Sequence, residues 1–500
     1  TQVPRTVEDA MQLTTMLGER FLWIDRLCII QDDKDNWHSQ IQMMGSIYAN
    51  AYCTIIASGG RDADYGIPGL NQLSGPRQMP PRATINLPSL QLIEVEPKHP
   101  AQDSTWNSRG WTFQELKLSR RALFFDKDVR WICRQSAWNE DSTAEPERGP
   151  SRLLPKENFP SLLNVQPWPD FEQWGILIEN YCEREFKLER EAGAGFAGIE
   201  EILSHSFPGG LCFGLPEFFF DIAILWRPWS PLRRRVSQSD GSADLPSWSF
   251  LGWKEGSLCG PECLGLACEW LSTGAVIIPC SSTSSIVPMV EWIQKGPFGQ
   301  KRRIRNDYHT WKILQDQQLP EAHARLGWQN NDGHWTHPRI PNQHFRYPVP
   351  LGYQTVDNTY RTWSPTLRLR SQSTVLTVSG VLEKRYGLGE CFCVELVTHK
   401  KEWAGLLYLN TNNEERKPTG KQCELVCLSY GSVSNVDKNA QYSLDEWYSH
   451  SRPRDSEIYE FYNVMWIRRQ DAHVVREGIG RVEKSVWDSQ ELEDIDVELR

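Results

Sequence analysis

Between residues 7 and 17, Val7, Ala10, Met11, Thr14 and Leu17 recur at helical spacing and share one face. Pro4, followed by Thr6 with Asp9 three residues on, predicts a capping box at the start of that helix, and Gly18 predicts its stop. The run Phe-Leu-Trp-Ile at 21–24 is continuously apolar and ends at Asp25, the pattern of a strand covered on both faces in a parallel sheet. Asp32, Asp33 and Asp35 then open a second helix, with carboxylates at the positive end of its dipole. Trp37, Ile41, Met44, Ile47 and Tyr48 form its apolar stripe, and 52–57 reads as the next strand, closed by Gly59 and Gly60. Helix, strand, helix, strand in so short a stretch predicts an α/β layer.

The proline-rich stretch 68–100 predicts a surface excursion with one strand at 90–95, and two further strands follow at 122–125 and 129–133. Residues 142–155 carry prolines and acidic side chains and mark a candidate boundary. Helical spacing returns at 171–191, with Trp174, Leu177, Ile178, Tyr181, Cys182 and Phe186 on one face, and again at 199–206. Beyond Asp244 the texture becomes short strands, clearest at 375–382, 391–397, 405–409, 424–428 and 462–467. That pattern predicts an antiparallel sandwich or barrel. The expected organisation is an α/β domain at 1–145, a mainly helical connection at 146–243 and a β-rich region at 244–500 with a long loop around 300–353.

Composition narrows the function classes. Lys and Arg total 54 against 64 Asp and Glu, a net charge of −10, the wrong sign for a chain whose main partner is nucleic acid. With 39% hydrophobic residues and 22 tryptophans, the chain has the material for a large core. Its 13 cysteines are odd in number and scattered, which suits a reducing compartment better than a disulfide framework. The opening residues lack a secretory pattern, and the richest apolar stretch, 210–226, is interrupted by Pro216, Glu217 and Asp221. The expectation is a cytoplasmic chain without a membrane span, metal or resident cofactor.

Several motifs invite chemistry. Gly193, Gly195 and Gly198 match G-x-G-x-x-G, but a charged helical end precedes them rather than a strand, so a helix end and turn is the expected structure. Cys259, Cys263 and Cys268 cluster, as do Cys391 with Cys393 and Cys423 with Cys427, without the paired sets that zinc requires. The basic runs Arg233–Arg235 and Lys301–Arg305 read as solvated loops before anion sites. Asp25, at the carboxyl end of the first predicted strand and near Trp23, Arg26 and Gln31, lies where α/β sheets place ligands. Arg109, Trp111, Thr112 and Glu115 offer a cation, a stacking face and a candidate acid/base; Thr112 and Glu115 also have capping-box spacing.

The block Leu-Trp-Ile-Asp-Arg-Leu-Cys-Ile-Ile-Gln-Asp-Asp at 22–33 resembles the "WIDxLCIxQDD" signature of the fungal heterokaryon-incompatibility (HET) domain. Gln40, Ile41, Met44, Ile47, Tyr48 and Ala51 resemble its second block, and Arg109, Trp111, Thr112, Gln114, Glu115, Leu118 and Ser119 its third. Residues 246–250, 462–466 and 478–482 are similar to the tail of many such proteins. The family opens with a Ser-Tyr-x-Trp-Gly strand that nothing before Pro4 supplies, which implies truncation or loss of the first strand; Arg26 stands where Ser or Ala is common. The resemblance implies a role in non-self recognition and incompatibility-triggered cell death, through protein partners or self-association. The family has been likened to TIR domains, of flavodoxin-like fold, some of which cleave NAD with a glutamate. On that analogy Glu115 is the catalytic candidate, Trp23, Asp25, Arg109 and Trp111 the binding candidates, and NAD the candidate substrate. A degenerate, inactive paralogue is the remaining alternative.

Overall fold

The computed structural model describes residues 3–70, 74–77, 84–88, 90–93, 104–140, 162–237, 241–256, 258–259, 271–272, 285–296, 298–306, 320–331, 334–341, 343–345, 348–352, 363–382, 393–411, 419–434, 444–454, 456–470 and 473–500. The candidate boundary at 142–155 lies outside them, as do Val95, Cys263, Cys268, Cys391 and parts of the expected 300–353 loop. The chain divides into two compact units: Thr1–Asn164 with Arg184–Ile199, and Val165–Glu183 with Glu200–Arg500.

In the first unit, helix α1 (Arg5–Met16) buries Asp9, Ala10, Leu13 and Thr14, while Met11 and Leu17 are exposed. The face is therefore rotated from the expected one. The capping box does not form: Pro4 is the N-cap, and Thr6 and Asp9 tie a loop instead. The Thr6 hydroxyl accepts from the Gly66 amide at 3.1 Å, and the Asp9 carboxylate accepts from the Ile67 amide at 2.6 Å and the Ser74 hydroxyl at 2.5 Å. Ile67 is fully buried, so Asp9→Ala leaves its amide unpaired. The expected cost is about 1–3 kcal/mol, read as a lowered denaturation midpoint.

Residues 21–24 do not form the expected strand. Ile24 is extended, but the segment joins no described ladder, Phe21 is 87% exposed, and the chain turns at once into α2 (Asp25–Cys28). Apolarity sets the preference for an extended backbone; a ladder also needs a neighbour, and none lies among the described residues. Helix α3 (Lys34–Asn50) starts where expected, with the Asp33 carboxylate accepting from the Asp35 and Asn36 amides at 3.0 Å. Strand β1 (Thr54–Ala57) follows, then a hairpin of β2 (Thr84–Leu87) and β3 (Leu90–Ile93), the short helices α4 (Thr105–Ser108) and α5 (Trp111–Leu118), and β4 (Arg121–Phe125), β5 (Val129–Cys133) and β6 (Ala137–Asn139). The main sheet runs β1-β4-β5-β6: β1 and β4 are parallel, the other pairs antiparallel. The layer is α/β with a mixed sheet. Ile56, Leu116, Ala122, Phe124 and Ile132 form its core.

The helix expected over 171–191 is α6 (Phe171–Tyr181) and stops at Tyr181, and the second expected piece is α7 (Glu191–Ser204), which starts earlier than expected. Between them the Glu185 amide donates to Ser108 and its carbonyl accepts from Gly110, both at 2.7 Å, so these backbone groups are diverted from helical bonding. Gly193, Gly195 and Gly198 lie within α7, which corrects the expected helix end and turn and removes the strand-turn-helix context that a dinucleotide site needs. Gly198 instead lets α7 meet α3 at Gly45: a Cβ on Gly198 would lie 3.2 Å from the Gly45 Cα.

The second unit is strand-rich. Strands Gln422–Ser434, Ile458–Gln470, His473–Glu483, Trp403–Leu409, Cys393–Val397 and Leu367–Val381 pair in that order, all antiparallel, and the last pairs back to the first. This closes a six-stranded barrel, removing the free edges of those strands. Leu376, Val394, Leu407, Leu425, Val464 and Trp487 belong to its core. Gly480 sits where neighbouring strands press close, since a Cβ there would overlap the Leu406 carbonyl. Cys423 and Cys427 point into the same core, and burial pushes both thiols up to about 12. The stretch expected as a long loop contains strands Lys301–Arg303, Gln329–Asn331, His334–Thr336 and His344–Phe345 and helix Pro320–Arg325. Neither basic run is a solvated loop. Arg302 pairs with Glu217 at 2.6 Å, and buried Arg235 donates to the Trp253 carbonyl at 2.9 Å.

Candidate functional site

Three stretches of the sequence, at 23–25, at 48 and at 109–115, meet around Glu115. The residue lies mid-helix in α5, whose N-cap is Gly110, so Thr112 and Glu115 form no capping box. The Thr112 hydroxyl donates instead to the carbonyls of Trp106 and Arg109, each at 2.7 Å. Glu115 as a residue is half-buried, and its carboxyl is the desolvated end. Burial is the main force raising its pKa; the Arg109 charge opposes the rise, Asp25 adds to it, and a hydrogen bond from Tyr48 opposes it, leaving the group pushed up to about 7. A carboxyl so placed exchanges its proton near neutrality, as acid/base work demands.

Tyr48 was legible as part of the apolar stripe of α3 and of the second block of the resemblance, but not as a site residue. The stripe faces inward: Met44 is buried, Gly45 abuts α7, and the Tyr48 hydroxyl donates to the Glu115 carboxylate. Burial pushes the Tyr48 phenol well above its ordinary value, Glu115 and Asp25 reinforce this, and Arg109 works against it. Trp23 completes the wall, its ring edge-on to Tyr48 with centroids 5.7 Å apart at 78°. Asp25 is exposed and accepts from the Arg26 amide at 2.6 Å while its charge is felt at both Tyr48 and Glu115. Thus Trp23, Asp25, Arg109 and Glu115 are gathered around Tyr48. The contacts of Trp111 lead elsewhere: its indole N–H donates to Glu191 at 3.4 Å and its ring meets Phe186 edge-on at 6.3 Å.

Among the described residues, no group of three or more His, Cys, Asp or Glu side chains is placed to hold a metal ion, and no helix is long and apolar enough to cross a membrane.

Residues 1–115 match the family model described as Heterokaryon incompatibility protein (HET), a match that ends on Glu115 itself. The chain carries a HET domain. No curated protein and no solved structure matches it. The HET match takes in α1 to α3, β1, and the Asp25, Tyr48 and Arg109 positions, whereas the first unit continues through β4 to β6 and the segment Arg184–Ile199.

Proposed function

We propose that this heterokaryon-incompatibility-type protein is an effector of fungal non-self recognition, acting in the reducing cytoplasm, and that the Glu115 site carries its cell-killing activity. The supporting observation is the convergence, within the HET-matched stretch, of an indole, a phenol, a guanidinium and a second carboxylate on one carboxyl with a neutral-range pKa. Protein partners or self-association supply the trigger. Met44 and Tyr48 of the α3 stripe are already used inside the first unit, which favours a site-based activity over docking through that face.

A second reading follows from the same carboxyl: cleavage of the N-glycosidic bond of NAD, on the TIR analogy. The C1′–N bond breaks with its electron pair leaving on the nicotinamide nitrogen, and a water oxygen bonds to C1′ as its proton passes to a base. Glu115, ionised, stabilises the positive ribosyl centre or takes that proton; Tyr48 orients it, Arg109 meets phosphate and Trp23 offers a ring edge.

Inducible expression in a fungal host is expected to kill, and Glu115→Gln to abolish killing while the protein accumulates normally. Undiminished killing by Glu115→Gln would overturn the site-based reading. Nicotinamide release from NAD by the purified chain, lost in Glu115→Gln, supports the second reading; its absence from the wild type contradicts it.

A further inference from the structure

The turn that carries Arg109 is held by a piece of chain outside the HET-matched stretch. Residues 184–186 run alongside the α4–α5 turn. The Glu185 backbone bonds to Ser108 and to Gly110, the residues on either side of Arg109, as a parallel bridge. Arg184 is buried beneath the same turn. Its guanidinium donates to the Asn107 carbonyl, to the Asn107 side-chain oxygen at 2.9 Å and to the Thr112 hydroxyl at 3.4 Å, and lies over the Phe113 ring at 5.1 Å. Phe186 packs so closely on Gly110 that a Cβ there would overlap its ring. Backbone, guanidinium and aromatic contacts thus fasten both flanks of Arg109 while its side chain remains exposed.

From this geometry we infer that residues 184–186 are a strap that positions Arg109 beside Glu115, with Arg184 as the positioning residue. Val165–Glu183 and Glu200–Arg500, on either side of the excursion Arg184–Ile199, belong to the second unit. The strap is thereby a covalent route from that unit to the site. The inference rests on the site-based reading for its biological meaning, but its geometry is tested without it.

The test uses the full chain carrying 13C-carboxyl glutamate, with the Glu115 signal identified by its loss in Glu115→Gln. Gly110→Ala, which displaces Phe186, and Arg184→Lys, which keeps the charge but loses the forked contacts, are each expected to raise the Glu115 midpoint by about one unit, a tenfold change in proton affinity. Adding Phe186→Ala to Gly110→Ala makes room for the new methyl group and is expected to lower the midpoint again. Should Gly110→Ala fail to fold, Arg184→Lys carries the test alone. An unmoved midpoint in a folded strap variant would overturn the proposal. So would a raised midpoint that Phe186→Ala fails to reverse, since the overlap would then not be its cause. In the killing assay the strap variants are expected to follow Glu115→Gln. If the midpoint moves while Glu115→Gln still kills, the strap stands and the site-based function falls.

Discussion

Glu115→Gln is expected to make the protein more stable at pH 8 than the wild type by about 3 kcal/mol, and to leave it nearly unchanged at pH 4.5. The carboxyl titrates near 4.5 when unfolded and near 7 when folded. Between those values the folded state holds a proton that the unfolded state has released, so stability falls as pH rises and the full cost is present above pH 7. Glutamine carries no such proton and keeps the Tyr48 hydroxyl a partner. Asp221, buried and also pushed up to about 7 although the Trp292 indole donates to it at 2.7 Å, gives the whole chain a slope of the same sign. Subtracting the Glu115→Gln curve from the wild-type curve isolates the Glu115 contribution. Denaturant titrations across that pH range supply both. A group that the wild type keeps at such a cost to stability is the signature of a site selected for something other than folding.

Arg481→Met is expected to destabilise the second unit by about 3–5 kcal/mol, seen as an early unfolding transition. Arg481 and Glu446 are both buried, with the guanidinium clamped on the carboxylate at 2.5 and 2.9 Å. Arg481 also donates to the Tyr408 hydroxyl at 3.2 Å, which in turn donates to Asp445 at 2.8 Å, where Arg227 pairs at the same distance. Burial opposes the Arg481 charge, but Glu446 and Tyr408 more than offset it and hold its pKa well above the ordinary value. Methionine leaves the Glu446 carboxylate buried without that partner. Adding Glu446→Leu removes the orphaned charge and is expected to recover most of the loss, because the penalty lies in the uncompensated ion.

Local pattern was most legible where one residue type decides the outcome. Asp33 capped α3 as the acidic run implied, and the strand-like runs at 375–382, 391–397, 405–409, 424–428 and 462–467 announced five of the six strands that close into the barrel, though not His473–Glu483. Expectations failed where a side chain found a distant partner. Thr6 and Asp9 have capping-box spacing, yet Gly66, Ile67 and Ser74 claim both. Phe186 has helical spacing from Tyr181 and Cys182, yet Gly110 takes it. Residues 21–24 have the apolarity of a strand and, among the described residues, no strand beside them. At the site, Trp23, Asp25, Arg109 and Glu115 stood out because polar and aromatic types interrupt apolar runs. Tyr48 fell in a block of the resemblance, but its place in the site was missed because its ring fits a helix stripe and only its hydroxyl betrays another role. Arg184 lay in a charged stretch that reads as solvated surface, although it is buried.

The most direct measurement is the titration midpoint of the Glu115 carboxyl in the intact chain and in three single substitutions of its neighbours. A midpoint near 7 is predicted, lower in Asp25→Asn and higher in Arg109→Gln and in Tyr48→Phe, following the sign of each contribution. A midpoint near 4.5, indifferent to all three changes, would mean that these side chains do not meet around one carboxyl.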